Sequence, residues 1–345
     1  MPVAAQQLVL LIPGLSGPES DHPITDYFEQ RPVALDRLLS RSHDEHMQAS
    51  GLEATLAGYF GIGAATELPV APLSWLADTG EPATQYLLRA DPVHLRADQS
   101  SLRLFDAHSF SLAQDEADAL VASINDFNAA DGWQLHAPHP QRWYLGVLQV
   151  PDISTRTPAQ VAGQDIDPFL PAGTDARHWH AMMNELQMLL HDHPVNIARE
   201  ARGEPAINSL WFWGGGQLPG TLTPQLNALY SDHPLAMGLA QHAGVPRYTV
   251  PADAGELLAN MPDGQVMVLL DGLEWPAHYN DIEGWLDELQ QLERAWFAPV
   301  LAAAQQGGQA SLVIDTCQGI RFHTGRRAQR AFWKRQYPFE ARLQP

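Results

Sequence analysis

The sequence predicts an α/β protein, a core with a mostly parallel sheet flanked by helices, carrying a smaller inserted α+β domain. Three observations predict it. Short continuous apolar runs at residues 8–12, 266–270 and 311–314 each stop at a turn or a polar residue, the pattern of parallel strands buried on both faces. Amphipathic helical stripes accompany them. From Thr79 the texture changes to closely spaced short strands bracketing one helix, without regular βα alternation.

Taken in order, residues 8–12 form the first strand, stopped by Pro13-Gly14. Residues 33–39 are helical in pattern, and a small-residue turn at Ser50 leads into a second helix through Leu52, Leu56, Tyr59 and Phe60. Residues 86–95, 102–105, 133–135 and 143–150 read as short strands. The helix among them is opened by Ser111-x-x-Gln114 and striped by Leu120, Val121, Ile124 and Phe127. This places the insertion at 78–176 and the core at 1–77 and 177–345. The core resumes with Trp179, Met182, Met183, Leu186, Leu189 and Leu190 at helical spacing, a packing stripe rather than a cofactor box. A strand at 209–213 follows, closed by Gly214-Gly215-Gly216, whose freedom suits a tight turn near a ligand. Ile282, Trp285, Leu286, Leu289, Leu292 and Trp296 mark the last long helix.

Composition bounds the function. Twenty basic against forty acidic residues give a net charge of −20, which opposes binding of nucleic acid or anionic membrane. Cys317 is the only cysteine, so no internal disulfide forms. Residues 1–7 carry no lysine or arginine and the apolar run after them is too short for a signal or a membrane span, so a cytoplasmic protein is expected. Neither a G-x-G-x-x-G nor a Walker-type loop is present, which removes support for those nucleotide folds. One basic stretch runs against the trend: Arg321, Arg326, Arg327, Arg330, Lys334, Arg335 and Arg342 face a single acid, Glu340, with Phe332 and Trp333 between them. It reads either as a solvated terminal segment docked by its aromatics or as a phosphate- or partner-binding tail, the one place where nucleic acid could be held.

Potential chemistry gathers after two strands. Residues 266–270 run into Asp271, Glu274 and His278, and residues 311–314 into Asp315, Thr316 and His323. Ligands collect beyond the carboxyl ends of strands in open α/β sheets. Carboxylates and imidazoles of this kind suit zinc or manganese, although Glu274 and His278 also fit a hydrogen-bonded helix-start pair. Arg89 and Arg142 can clamp a phosphate bidentately or pair with the abundant acids.

His193-Pro194-Val195-Asn196, followed by Arg199, Ala206, Asn208 and the strand into Trp213-Gly214-Gly215-Gly216, resembles the archaeal-type, cofactor-independent phosphoglycerate mutases of the alkaline phosphatase superfamily. Similar segments occur in the same order at 56–60, Leu88-Arg89-Ala90, 142–148, 165–171 and 234–244. The last is Glu274-x-x-x-His278 with Asp281 and Gly284. More closely, the chain resembles a bacterial branch labelled as the E-type Rpf regulatory protein. The resemblance implies an alkaline-phosphatase-like core and a two-metal phosphoryl-transfer site around a serine or threonine nucleophile. Carried onto this chain, it implies Ser50 as nucleophile, Arg89, Arg142, His193 and Asn196 as substrate-binding residues, and Glu274, His278, Asp315 and His323 as metal ligands. One ion of the pair would need Asp-Gly and Asp-His where this chain has Pro13-Gly14 and Asp315-Thr316. That ion is therefore expected to be missing, which leaves at most one divalent metal, manganese or zinc, on Glu274, His278 and His323. Two functions follow. In one, the degenerate site binds a phosphorylated small metabolite or a protein partner in a regulatory role; in the other, the retained ion supports phosphoryl transfer or phosphoester hydrolysis with Ser50 or water as nucleophile. A scaffold without a ligand is a third reading.

Overall fold

A computed structural model describes residues 6–19, 22–48, 51–63, 67–98, 101–129, 132–306, 311–325 and 336–343. The chain divides into two compact units, Met1–Thr66 with Thr221–Pro345, and Glu67–Gly220. The first unit opens with β1 (Gln7–Leu11), α1 (Val33–Ser40), β2 (His43–His46) and α2 (Leu52–Tyr59). The second contains α3 (Val70–Thr79), β3 (Tyr86–Asp98), β4 (Ser101–Phe105), α4 (Gln114–Phe127), β5 (Gln134–His139) and β6 (Arg142–Val147). It continues through α5 (Pro158–Val161), α6 (Ala176–His191), α7 (Pro194–Ala201) and β7 (Ser209–Gly216). The first unit then resumes with β8 (Ala228–Tyr230), α8 (Pro234–Ala243), β9 (Arg247–Tyr248), α9 (Ala254–Ala259) and β10 (Gln265–Leu269). It ends through α10 (Glu274–His278), α11 (Ile282–Leu292), α12 (Ala298–Gln305), β11 (Ser311–Asp315), β12 (Ile320–Thr324) and the short α13 (Glu340–Leu343).

The first unit is built on a seven-stranded sheet in the order β2-β12-β11-β1-β10-β8-β9. β1 lies between β10 and β11, parallel to both, with Leu11 opposite Leu269 and Asp315. Its side chains are buried on both faces, as the continuous apolar run requires. Leu10, Val268 and Ile314 share one core with Leu35, Leu39, Trp285, Leu289 and Phe297 from the helices, each such burial contributing about 1.5–3 kcal/mol. The flank formed by β12 and β2 is antiparallel. It arises from a tight turn after β11, where Cys317 and Gly319 hold left-handed backbone angles, φ 59° and 85°. Thr316 closes that turn, its Oγ1 donating to the Ile320 carbonyl at 2.9 Å. The turn sets the register that puts Arg321 directly opposite Asp315, and Glu45 opposite Arg321.

The second unit has a five-stranded antiparallel sheet in which β3 pairs with β4 and β6, and also with β7. Arg89, Tyr144 and Trp213 are directly paired across it and therefore share one face, the face met by Trp75 of α3. Phe212, of opposite parity, packs against Trp179 of α6 at 4.9 Å between ring centroids. Residues 209–213, expected in the core, thus belong to this sheet. Their pairing with β3 carries α6, α7 and β7 into the second unit, whereas the expected insertion ended at 176. The glycine run lies inside β7 instead of forming a ligand turn. A Cβ at Gly214 would meet the Val70 Cβ at 2.8 Å, and one at Gly216 would collide with Pro69, so these glycines admit the start of α3. The helix expected to be capped from Ser111 begins at Gln114, where the Glu116 carboxylate accepts from the Ala113 N–H at 3.2 Å. Among the described residues no helix is long and apolar enough to cross a membrane.

Candidate functional site

Asp315 ends β11, the neighbour of the central strand β1 in the first unit's sheet, and is 3% exposed. Its Oδ1 accepts from the Cys317 N–H at 3.0 Å; its Oδ2 accepts from Arg321 Nε at 2.8 Å and from the Tyr59 hydroxyl at 3.3 Å. The Arg321 guanidinium lies over the Tyr59 ring, 4.8 Å from its centroid. Beyond it Arg321 reaches Glu45 on β2 at 3.8 Å, and the Glu45 carboxylate accepts from His323 Nε2 at 2.9 Å. His323 in turn stacks on His43, with 5.1 Å between centroids. Burial, together with the Asp315 charge, pushes the Tyr59 hydroxyl up and keeps it a donor. Burial pushes the Cys317 thiol well up, reinforced by Asp315 and Glu274, so this side chain stays a thiol and is poorly suited to act as a nucleophile. The Gly51 N–H, donating to the Cys317 carbonyl at 2.7 Å, ties the start of α2 to the same turn.

The residues the resemblance implied as ligands are placed as follows. Gly14 follows Pro13 at φ 79°, with the Glu274 backbone so close that a Cβ would meet its Cα at 2.8 Å. Trp285 Nε1 donates to the Gly14 carbonyl at 2.9 Å, so this turn is packed against α10 and α11. Glu274 opens α10, buried, and His278 closes it. Thr316 is engaged in its own turn, and His323 is directed to Glu45. Among the described residues no group of three or more His, Cys, Asp or Glu side chains is arranged to hold a metal ion. At Asp315 the carboxylate is already engaged by a guanidinium, a hydroxyl and a backbone N–H. An ion at Asp315 would also face a guanidinium that cannot give up its proton. Ser50 lies outside the described residues, as do Arg326, Arg327, Arg330, Phe332, Trp333, Lys334 and Arg335 of the basic tail. Of the tail's other charges, Arg342 pairs with Asp44 at 2.9 Å and Glu340 with Arg31 at 3.0 Å.

The residues implied for substrate binding all lie in the second unit, and each has a partner there. Arg89 holds Asp91 through Nε at 3.0 Å and Nη2 at 2.6 Å, and its guanidinium sits over the rings of Tyr144 and Trp213. Arg142 holds Asp78 bidentately at 2.9 and 2.7 Å, and the Tyr144 hydroxyl donates to the same carboxylate. His193 caps α7, its Nδ1 accepting from the Val195 N–H at 3.2 Å, which leaves Nε2–H to donate to Ser123 at 2.9 Å. Asn196 is buried, donating to the carbonyls of Leu190 and Ile207 and accepting from the Ile207 N–H, each at 2.8 Å. The His-Pro-Val-Asn segment is thus the lock between the end of α6 and the strand that follows. Sequence reasoning missed Arg321 and Tyr59 at the strand-end site. The available signal is the alternation of Ile320-Arg321-Phe322-His323 five residues after Asp315, which marks a returning strand where the sequence reading takes Arg321 as basic tail and His323 as a metal ligand.

The sequence model of a family described as 2,3-bisphosphoglycerate-independent phosphoglycerate mutase matches residues 82–196. A protein named 2,3-bisphosphoglycerate-independent phosphoglycerate mutase from Methanosarcina mazei is 24% identical over 320 residues, covering 82% of this chain and 77% of that protein. One so named from Methanosarcina acetivorans is 22% identical, covering 66% of this chain and 63% of its own length. One from Geobacter sulfurreducens, named as a probable enzyme of the same kind, is 23% identical, covering 64% and 60%. A solved structure of a protein from Pyrococcus horikoshii superposes with a TM-score of 0.57 at 16% identity, covering 98% of this chain and 92% of that one, which supports the shared α/β fold. In sequence, this chain is thus similar to the cofactor-independent phosphoglycerate mutases, at low identity but over most of its length.

Proposed function

We propose that this chain is a phosphoglycerate-mutase-like protein that acts by binding, in a regulatory role, a phosphorylated small molecule or a protein partner, and that its two-metal site is degenerate. In this reading the first unit is an alkaline-phosphatase-like core, the protein is cytoplasmic, and it belongs with the regulatory E-type Rpf proteins. The observation that supports it is the engagement of Asp315, the carboxylate that the resemblance assigns to the lost ion, with Arg321, Tyr59 and the Cys317 N–H. Phosphoryl transfer of the two-metal kind draws several kcal/mol of transition-state stabilisation from its ions, and about 1.4 kcal/mol is a factor of ten in rate. A phosphate would also have to compete with Asp91 and Asp78 for Arg89 and Arg142, which tilts the ligand toward a protein partner.

The relatives named as phosphoglycerate mutases favour a second reading, an enzyme, in which one metal retained on Glu274, His278 and His323 would support phosphoryl transfer or phosphoester hydrolysis. One experiment separates the two. Purified full-length protein is assayed for interconversion of phosphoglycerates and for hydrolysis of a generic aryl phosphate, with and without added manganese or zinc. The binding reading expects no turnover above the blank. Manganese-dependent turnover that disappears in a Glu274→Ala/His278→Ala double variant would establish the enzyme.

A further inference from the structure

At the strand end a buried carboxylate, Asp315, is paired with the guanidinium of Arg321. We propose that Arg321 is its resident cation: the guanidinium takes the place beside Asp315 that a divalent ion would need, so the buried carboxylate is neutralised, and the sheet edge held, without metal. This deepens the reading of the site given above and rests on it for the identification of Asp315 as the remaining ligand.

A carboxylate offers about four lone-pair positions. Three on Asp315 are taken, by the Cys317 N–H, Arg321 Nε and the Tyr59 hydroxyl. Register fixes the arrangement, because Arg321 is the directly opposed residue on β12 and Glu45 is its opposite on β2. The result is a cross-strand ladder of alternating charge, Asp315, Arg321, Glu45, running from the middle of the sheet to its edge. The middle member is planar, permanently charged and laid on the Tyr59 ring, properties a lysine ammonium would not combine. An ion approaching Asp315 would meet that positive charge at contact distance, in a setting where screening by water is reduced. Displacing the guanidinium would separate it from Asp315, its ring contact and Glu45 together.

The test uses full-length protein, with bound metal measured by elemental analysis and melting temperature followed with chelator or with millimolar manganese. Wild-type protein is expected to carry no stoichiometric metal and to melt at the same temperature under both conditions. Arg321→Ala is expected to lose roughly 5 °C or more and to recover part of that loss in manganese. The recovery should be absent from Arg321→Ala/Asp315→Asn. Should Arg321→Ala fail to fold, Arg321→Gln, which keeps part of the aliphatic stem and drops the charge, carries the same comparison. Stoichiometric metal in the wild type that is lost in Asp315→Asn, or no manganese response once the guanidinium is gone, overturns the proposal. Wild-type turnover that survives chelation would overturn the functional reading and leave this one standing.

Discussion

The two units each set an arginine against an aspartate beneath an aromatic ring, one in a closed cluster and the other in a ladder that opens to water. In the second unit the side chains of Arg89 and Asp91 are 7% and 8% exposed. Asp91 also accepts from the Trp143 N–H and from Trp213 Nε1, and Arg89 is held between two rings. In the first unit Asp315 is as deeply buried, but Arg321 is 19% exposed and Glu45, at the outer end, 49%. A charge pair closed on all sides cannot be broken cheaply, whereas in a ladder open at its far end the outer charges are within reach of water and salt. The closed cluster is therefore architecture, and the open ladder is where the proposed loss of a metal site can be tested.

The largest expected effect belongs to the closed cluster. Arg89→Ala leaves Asp91 buried without its cation, and breaking a buried pair from one side costs about 3–5 kcal/mol. Urea unfolding of the variant should show that loss in the midpoint. A change near zero would mean that Trp143 and Trp213 alone satisfy Asp91, and the contrast between the units would lose its basis.

Next is the neighbouring pair of Asp78 and Arg142, which tests the same cluster through pH. Burial pushes the Asp78 carboxyl up, but the hydrogen bonds from Arg142 and Tyr144, with the charges of Arg142 and Arg89, outweigh it and hold the group below its ordinary value. A carboxyl depressed in the folded state adds stability that is fully present above its unfolded value, about 4, and is lost as pH falls through the folded one. Asp78→Asn should accordingly flatten the acid limb of the stability curve, and Arg142→Ala should cost about 1.5–3 kcal/mol at neutral pH. An acid limb unchanged in Asp78→Asn would place the sensitive carboxylate elsewhere.

How much of this was legible in the sequence depends on what kind of partner each residue has. The parallel strands were legible because strands buried on both faces leave continuous apolar runs, as at Leu8 to Leu11. The sheet to which residues 209–213 belong was not, since a strand covered by α3 on one face and α6 on the other leaves the same run whichever direction its neighbours take. α3 itself went unread. Two prolines, Pro69 and Pro72, sit at its start, and burial of Val70, Ala71, Leu73, Ser74 and Leu76 leaves little polar face to give a period. At the sites, residue types were legible and partners were not. Arg89 and Arg142 were read as anion clamps or acid partners with equal justice, and the choice lay in Asp91 and Asp78, one close in sequence and the other contributed by α3. For Asp315 the missing information was the turn at Cys317 that brings Arg321 back across it.

The smallest expected effect lies at the open end of the ladder. The His323 hydrogen bond, with the nearby positive charges, holds the Glu45 carboxyl below its ordinary value against the opposing effect of burial. By the same sign rule it stabilises the fold above the ordinary glutamate value and ceases to do so as pH falls through the folded one. The group is half exposed, so solvent screening should keep the contribution of Glu45 under about 0.5 kcal/mol, and Glu45→Gln should be nearly silent in urea unfolding. Salt sharpens the measurement, because whatever difference appears at low ionic strength should vanish when exposed charges are screened over a few ångströms. A loss approaching that of Arg89→Ala, and insensitive to salt, would show that the ladder is sealed at its outer end as well. Arg321 would then be fixed as firmly as Arg89, and the first unit's cluster would be architecture like the second's.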